Sequence, residues 1–145
     1  MAGTDKTQNQ VLGPAPLVVL AHPQLGENIG TAARAMANFG LHELRLVAPR
    51  DGWPNEKAVT ASSGAHWIVE GAKVFDDLPA ALVDMNYVYA TTARPRGMIK
   101  EVITPEEAGH DMRRRIARGE KVAVLFGRER WGLNNDEVSL ADVIV

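Results

Sequence analysis

An amide, a hydroxyl and a guanidinium recur along one flank of a single short stretch: Asn28, Thr31 and Arg34, within Gly26-Glu27-Asn28-Ile29-Gly30-Thr31-Ala32-Ala33-Arg34-Ala35-Met36-Ala37-Asn38-Phe39-Gly40. At the helical 100° per residue these three share a stripe with Glu27 and Asn38, while Ile29, Ala32, Ala33, Met36 and Phe39 form the opposite, apolar stripe. The apolar stripe suits packing on a sheet. The polar stripe sets anion-binding side chains in the first two helical turns, where free backbone N–H groups already favour negative charge. Two later stretches carry related chemistry. Thr91-Thr92-Ala93-Arg94 offers hydroxyls beside a cation, and Gly127-Arg128-Glu129-Arg130-Trp131-Gly132-Leu133-Asn134-Asn135-Asp136-Glu137 sets acids and arginines between glycines.

These residues need elements to hold them, and the pattern supplies an α/β domain. Residues 1–13 are polar and aperiodic and read as a flexible tail. A buried strand at 17–21, the turn His22-Pro23-Gln24-Leu25-Gly26, the helix ending at Gly40 and an alternating strand at 43–48 make a βαβ unit, and hence a parallel sheet. Asn55 to Ala61 reads as a short helix and Ser62-Ser63-Gly64-Ala65 as a turn; His66-Trp67-Ile68-Val69 carries no clear period. Asp77 caps a helix with an early Pro79, and 86–90 is a strand that runs into Thr91-Thr92-Ala93-Arg94. Thr104-Pro105-Glu106-Glu107 opens another helix, which ends in Arg113-Arg114-Arg115-Ile116-Ala117-Arg118-Gly119. Lys121 to Phe126 is a strand leading directly into Gly127. Ligands of open α/β sheets sit beyond the carboxyl ends of strands, which is where both loops fall.

The chain has 145 residues, 46% hydrophobic, enough for one domain with a core. No apolar run approaches the ~18 residues of a membrane span, and the first ten residues are too polar for a signal peptide, so a cytoplasmic location is expected. With no cysteine and four histidines without paired ligand spacing, no metal site is expected. The net charge of −2 is unevenly spread, for residues 94–130 carry ten Lys/Arg against six Asp/Glu, and arginine outnumbers lysine eleven to five. Such a segment suits RNA phosphates, although arginines at 113–118 also complement a helix dipole, and both readings stand.

Several nucleotide motifs are excluded. Gly26 and Gly30 do not make a dinucleotide G-x-G-x-x-G. Gly127 and Gly132 have P-loop spacing, but Leu133 and Asn134 stand where Lys and Ser/Thr are needed. No serine lies in a nucleophile elbow.

Taken together, Glu27 to Arg34, Thr91 to Arg94 and Leu125 to Leu133 resemble, in order and spacing, the motifs of the SpoU/TrmH group of SPOUT RNA methyltransferases, and within it the TrmJ-like branch that methylates ribose 2′-hydroxyls in the tRNA anticodon loop. The resemblance implies a SPOUT-type, mostly parallel sheet flanked by helices, a C-terminal trefoil knot holding S-adenosylmethionine, and a homodimer with each active site at the subunit boundary. It carries over Asn28, Arg34 and Glu129 as active-site residues, and Thr91, Thr92, Ala93 and Gly127 as cofactor-loop positions. RNA is the implied partner, tRNA ahead of rRNA, with no role for DNA or membrane. The third family motif is missing, because the sequence stops at Asp142-Val143-Ile144-Val145 within an apolar run. The expectation is a methyltransferase domain over 14–145 that is incomplete at its C-terminus, with part of the cofactor pocket, knot and dimer surface lost.

Methyl transfer from a sulfonium to a hydroxyl needs alignment and a destination for a proton. A guanidinium with a pKa above ~12 is a poor base, which favours Arg34 as a phosphate-binding group that polarises the hydroxyl. Asn28 reads as an amide holding Arg34 or the ribose, or as a helix N-cap. Glu129 reads as a catalytic acid or as half of an ion pair with Arg128, Arg130 or a partner subunit's Arg34; Trp131 reads as a dimer-seam residue ahead of a base-stacking one. Two other functions fit the sequence: a non-catalytic RNA-binding or dimerising module, and an enzyme for a small anionic metabolite bound at the helix N-terminus.

Overall fold

The computed structural model describes residues 13–92 and 100–145. Six strands, β1 (Leu17–Ala21), β2 (Leu44–Val47), β3 (Lys73–Phe75), β4 (Tyr87–Ala90), β5 (Val122–Phe126) and β6 (Val143–Ile144), form one sheet in the order β3-β2-β1-β5-β4-β6. Every pairing is parallel. Such a sheet must be covered on both faces, and its strands accordingly lack a polar side. On one face Val18, Leu44 and Leu46 pack under α1 (Gly26–Asn38), α2 (Glu56–Ala61) and α3 (His66–Glu70), and Tyr89, Val122 and Val143 pack under α5 (Pro105–Ala117). On the other, Leu17, Val19, Val88, Ala123 and Leu125 meet α4 (Leu78–Leu82), α6 (Asn135–Ser139) and Leu133. No described helix is long and apolar enough to cross a membrane.

Local rules explain most boundaries. Asp77 caps α4 through the Ala80 amide, and Thr104 with Glu107 forms a full capping box ahead of Pro105. Gly40 ends α1 at φ +74°, a conformation that suits glycine. At Gly30 a Cβ would overlap the Ala58 carbonyl oxygen and the Ser62 nitrogen, so this glycine lets α1 and α2 pack backbone to backbone. The structure adds to the sequence reading α3, where no element was assigned, the edge strand β3, α6, and β6 in the terminal apolar run.

Buried polar side chains tie the layers together, although Arg45 Nε has no hydrogen-bond partner among the described residues. Arg45, on β2 and 5% exposed, donates twice to Asp84 at 2.6 and 2.9 Å and once to the Ala81 carbonyl at 2.8 Å. It thereby ties α4 to the sheet. The Tyr89 hydroxyl, fully buried, donates to Asp111 on α5.

Candidate active site

The strand order reverses direction around β1, with β2 and β3 on one side and β5 on the other, which makes the C-terminal ends of β1, β4 and β5 the crevice of the fold. A cleft of about 730 Å³ lies there, lined by Thr91, Thr92, Phe126 and the loop Gly127–Leu133. Arg128 and Gly132 exchange backbone hydrogen bonds at 3.1 and 2.8 Å, closing that loop on itself. A Cβ on Gly127 would collide with the carbonyl of Gly132 and the nitrogen of Leu133. The glycine thus serves loop closure, a reason the sequence alone did not supply.

Glu129 leaves this loop and reaches the start of α1. Its carboxylate accepts from the backbone N–H of Gln24 at 2.9 Å and of Leu25 at 2.7 Å, and from the Asn28 side-chain amide at 3.2 Å. Burial alone would raise this carboxyl's pKa, but the Leu25 and Gln24 amides outweigh it and hold it below the usual glutamate value. Glu129 makes no ion pair in the described structure. Asn28 is no N-cap either, since the cap position is Leu25 and has no side-chain cap bond. Glu129, about one hundred residues away in sequence, instead accepts the N–H of the cap residue Leu25 itself. The protein's own carboxylate therefore stands at this N-terminus, bound to the two amides just ahead of the first turn.

The Thr91 N–H and hydroxyl both donate to the Leu125 carbonyl at 2.9 Å, fastening the end of β4 to β5 beside the cleft. The Thr92 N–H faces the Val145 carbonyl at 3.4 Å. Ala93 and Arg94 lie outside the described residues. Arg34 is exposed on α1, does not line the cleft, and has no side-chain partner among the described residues. The structure therefore brings Asn28, Glu129, Gly127, Thr91 and Thr92 together and leaves Arg34 facing outward.

A second, apolar hollow of about 560 Å³ runs between α1 and α5 over Val18, Leu20, Val124 and Phe126, and meets the cleft at Gly127 and Glu129. Phe39 at its rim is 82% exposed, and Trp131 in the loop 69%. The arginines of α5 divide. Arg115 binds Asp111 at 2.8 Å and Glu120 at 3.1 Å and stacks on Tyr87 at 3.4 Å, a structural use, and Arg114 and Arg118 pair with Asp111 and Glu120. One cluster behind the loop, His22, Arg128 and Glu137, was missed in the sequence. The spacing Asn134-x-x-Glu137, a capping-box pattern, was the available signal.

Residues 15–145 match the model of the SpoU rRNA Methylase family. The chain belongs to the SpoU rRNA methylase family. Among its relatives, a tRNA (cytidine/uridine/adenosine-2′-O-)-methyltransferase TrmJ from Pseudomonas aeruginosa is 40% identical over 121 residues, 83% of this chain and 47% of that protein. The crystal structure of TrmJ from Z. mobilis ZM4 superposes with a TM-score of 0.85 at 52% identity, covering 90% of this chain and 57% of that one. A structure concerned with 2-OH methylation of C/U34 on tRNA superposes with a TM-score of 0.65 at 25% identity, covering 91% of this chain and 80% of that one. The chain spans about half the length of the curated relatives it matches. Membership of the SpoU family agrees with the parallel, helix-flanked sheet described above, and the stretch from Asn28 to Glu129 lies wholly within the matched residues.

Proposed function

We propose that this chain is the methyltransferase domain, residues 14–145, of an S-adenosylmethionine-dependent enzyme that methylates ribose 2′-hydroxyls in RNA, with the tRNA anticodon loop as substrate. The observation that carries the reading is the meeting of Asn28, Thr91, Thr92, Gly127 and Glu129 at the carboxyl ends of three adjacent strands. The relatives named above, whose own activity is tRNA 2′-O-methylation, give the reaction class.

The residues lining the cleft fit the cofactor in kind. Its volume lies within the about 300–1,000 Å³ of small-molecule sites. Phe126 and Leu133 offer apolar walls to a nucleoside, and the peptide groups of Gly127–Leu133 with the threonines offer neutral donors and acceptors. When bound, S-adenosylmethionine supplies a methyl group activated by its sulfonium. Everything else falls to alignment.

Asn28 and Glu129 hold the start of α1 against the loop, and Thr91 holds the end of β4 against β5. A carboxylate kept below its usual pKa is a weak base at neutral pH, so Glu129 positions rather than accepts the proton. Arg34 presents a free guanidinium suited to an RNA phosphate; it polarises the hydroxyl, whose proton leaves to water. We place Ala93 on the same cofactor loop as Thr92. Homodimerisation through the apolar hollow, where Phe39 and Phe126 are exposed, and a cytoplasmic location belong to the same proposal.

The test is transfer of tritiated methyl from S-adenosylmethionine to tRNA by the natural protein carrying this domain. Label in an alkali-resistant dinucleotide from the anticodon loop supports the reading. No cofactor binding by calorimetry and no label in tRNA would overturn it.

A further inference from the structure

The loop that carries Glu129 is tethered a second time, from behind. Arg128 donates through Nη1 to Glu137 Oε1 at 2.9 Å, and the same oxygen accepts the Asn134 N–H at 2.8 Å. Glu137 Oε2 faces His22 Nε2 at 3.6 Å. The Glu137 side chain is 7% exposed and that of Arg128 24%. A carboxylate so far from water is costly unless paired. Capping α6 does not explain the charge, because a glutamine at the third helical position closes a capping box equally well. The charge is accounted for by Arg128, and His22, on the turn after β1, stands beside the second oxygen.

That turn also supplies Gln24 and Leu25, whose amides bind Glu129. Two neighbouring loop residues thus point opposite ways, Arg128 toward Glu137 and Glu129 toward α1, and Glu137 stands against both the loop that lines the cleft and the β1 turn to which that loop is bound. We propose that Glu137 is a positioning residue of the site: through Arg128 it fixes the Gly127–Leu133 loop against the β1 turn and so sets the affinity of the cleft for S-adenosylmethionine. This rests on the function proposed above.

Glu137→Gln keeps the capping hydrogen bonds and removes the charge. Calorimetric titration of the natural protein with S-adenosylmethionine should show the Kd of this variant rising about tenfold or more, the scale on which remote misplacement of a site acts. In Glu137→Gln the cofactor affinity should fall more than kcat for tRNA at saturating cofactor, and Arg128→Gln, changed at the more accessible partner, should weaken the affinity alike. The double variant binds no more weakly than either single one. In the cofactor-free proteins, hydrogen exchange should quicken at Gly132, Gln24 and Leu25 and stay slow at Leu125 in the sheet. Wild-type Kd together with wild-type exchange in Glu137→Gln would overturn the inference. Should the wild type itself fail to bind the cofactor, the proposed function and the affinity claim fall together, while the exchange comparison still decides whether Glu137 holds the loop.

Discussion

The Asn28 side-chain amide lies 3.2 Å from the Glu129 carboxylate, across 101 residues of sequence, and both contact the same end of α1. The contact makes the first helix and the β5 loop one unit. Glu129→Ala leaves the Gln24 and Leu25 amides to solvent, and the expected loss is about 1 kcal/mol of stability, as for a missing N-cap. Methyl transfer should fall much further than stability, because loop and helix lose their common registration. Urea denaturation beside initial rates separates the two effects.

The acid limb of stability follows from the same contact and from two others. Glu129, Asp84 and Asp111 all have carboxyl pKa values held below their ordinary ranges. For Asp84 the cause is first the Arg45 guanidinium and then Lys121; for Asp111 burial works upward and the Tyr89 hydroxyl and Arg115 outweigh it. A depressed carboxyl stabilises the fold fully above its unfolded pKa, near about 4 for these groups, and the contribution fades as pH falls through the lower folded value. Thermal denaturation should therefore be flat from neutrality to about pH 5 and fall steeply below about pH 4. A midpoint independent of pH between those limits and pH 2 would contradict these pairings.

Asp84→Asn isolates one member of that set. It leaves Arg45, with a side chain only 6% exposed, without its hydrogen-bonded counter-charge. Unpairing a buried ion costs about 3–5 kcal/mol, and because Asp84 is 41% exposed the expected loss is nearer about 2 kcal/mol. The variant should also flatten the acid limb, which a pH series of melting curves would read.

Much of this architecture was legible in the sequence because its signals are local. The apolar run of β1, the period of α1, Gly40, the Asp77 cap and the Thr104-Pro105 start each depend on residues a few positions apart. β3 was not legible, since it is a three-residue edge strand with Lys73 and Val74 exposed, placed by its register with β2 and the packing of Phe75. Trp67-Ile68-Val69 is apolar in either structure, and packing with α1 makes it helical. At the site, the motif residues were readable as types, but their partners were not. That Glu129 binds the amides leading into α1, or that Arg115 is consumed by Asp111, Glu120 and Tyr87, depends on contacts that only the folded sheet creates.

Glycine substitutions separate packing from cofactor binding. In a helix interior, glycine to alanine ordinarily stabilises by about 1 kcal/mol. At Gly30 the sign reverses, because the new methyl overlaps backbone atoms of α2, and the expected change is a loss of about 1–3 kcal/mol. Gly127→Ala forces apart the ends of the loop and should weaken S-adenosylmethionine binding, whereas folded Gly30→Ala protein should bind it normally. Differential scanning calorimetry and cofactor titration of both variants would read the contrast.

Arg34 gives the sharpest division between fold and activity. It is exposed and makes no side-chain hydrogen bond or ion pair among the described residues, so Arg34→Ala should change stability by less than about 0.5 kcal/mol. If its guanidinium binds an RNA phosphate next to the reacting ribose, its removal takes away a charge-assisted donor aligned for the transfer, and kcat should fall by about 10²–10³. Arg34→Lys keeps the charge and loses the planar fork, so it should restore tRNA binding more than it restores rate. Binding isotherms and single-turnover rates on one tRNA transcript would show this order. Equal rates for wild type and Arg34→Ala would remove Arg34 from the site while leaving the Asn28 and Glu129 contact, which does not depend on it, in place.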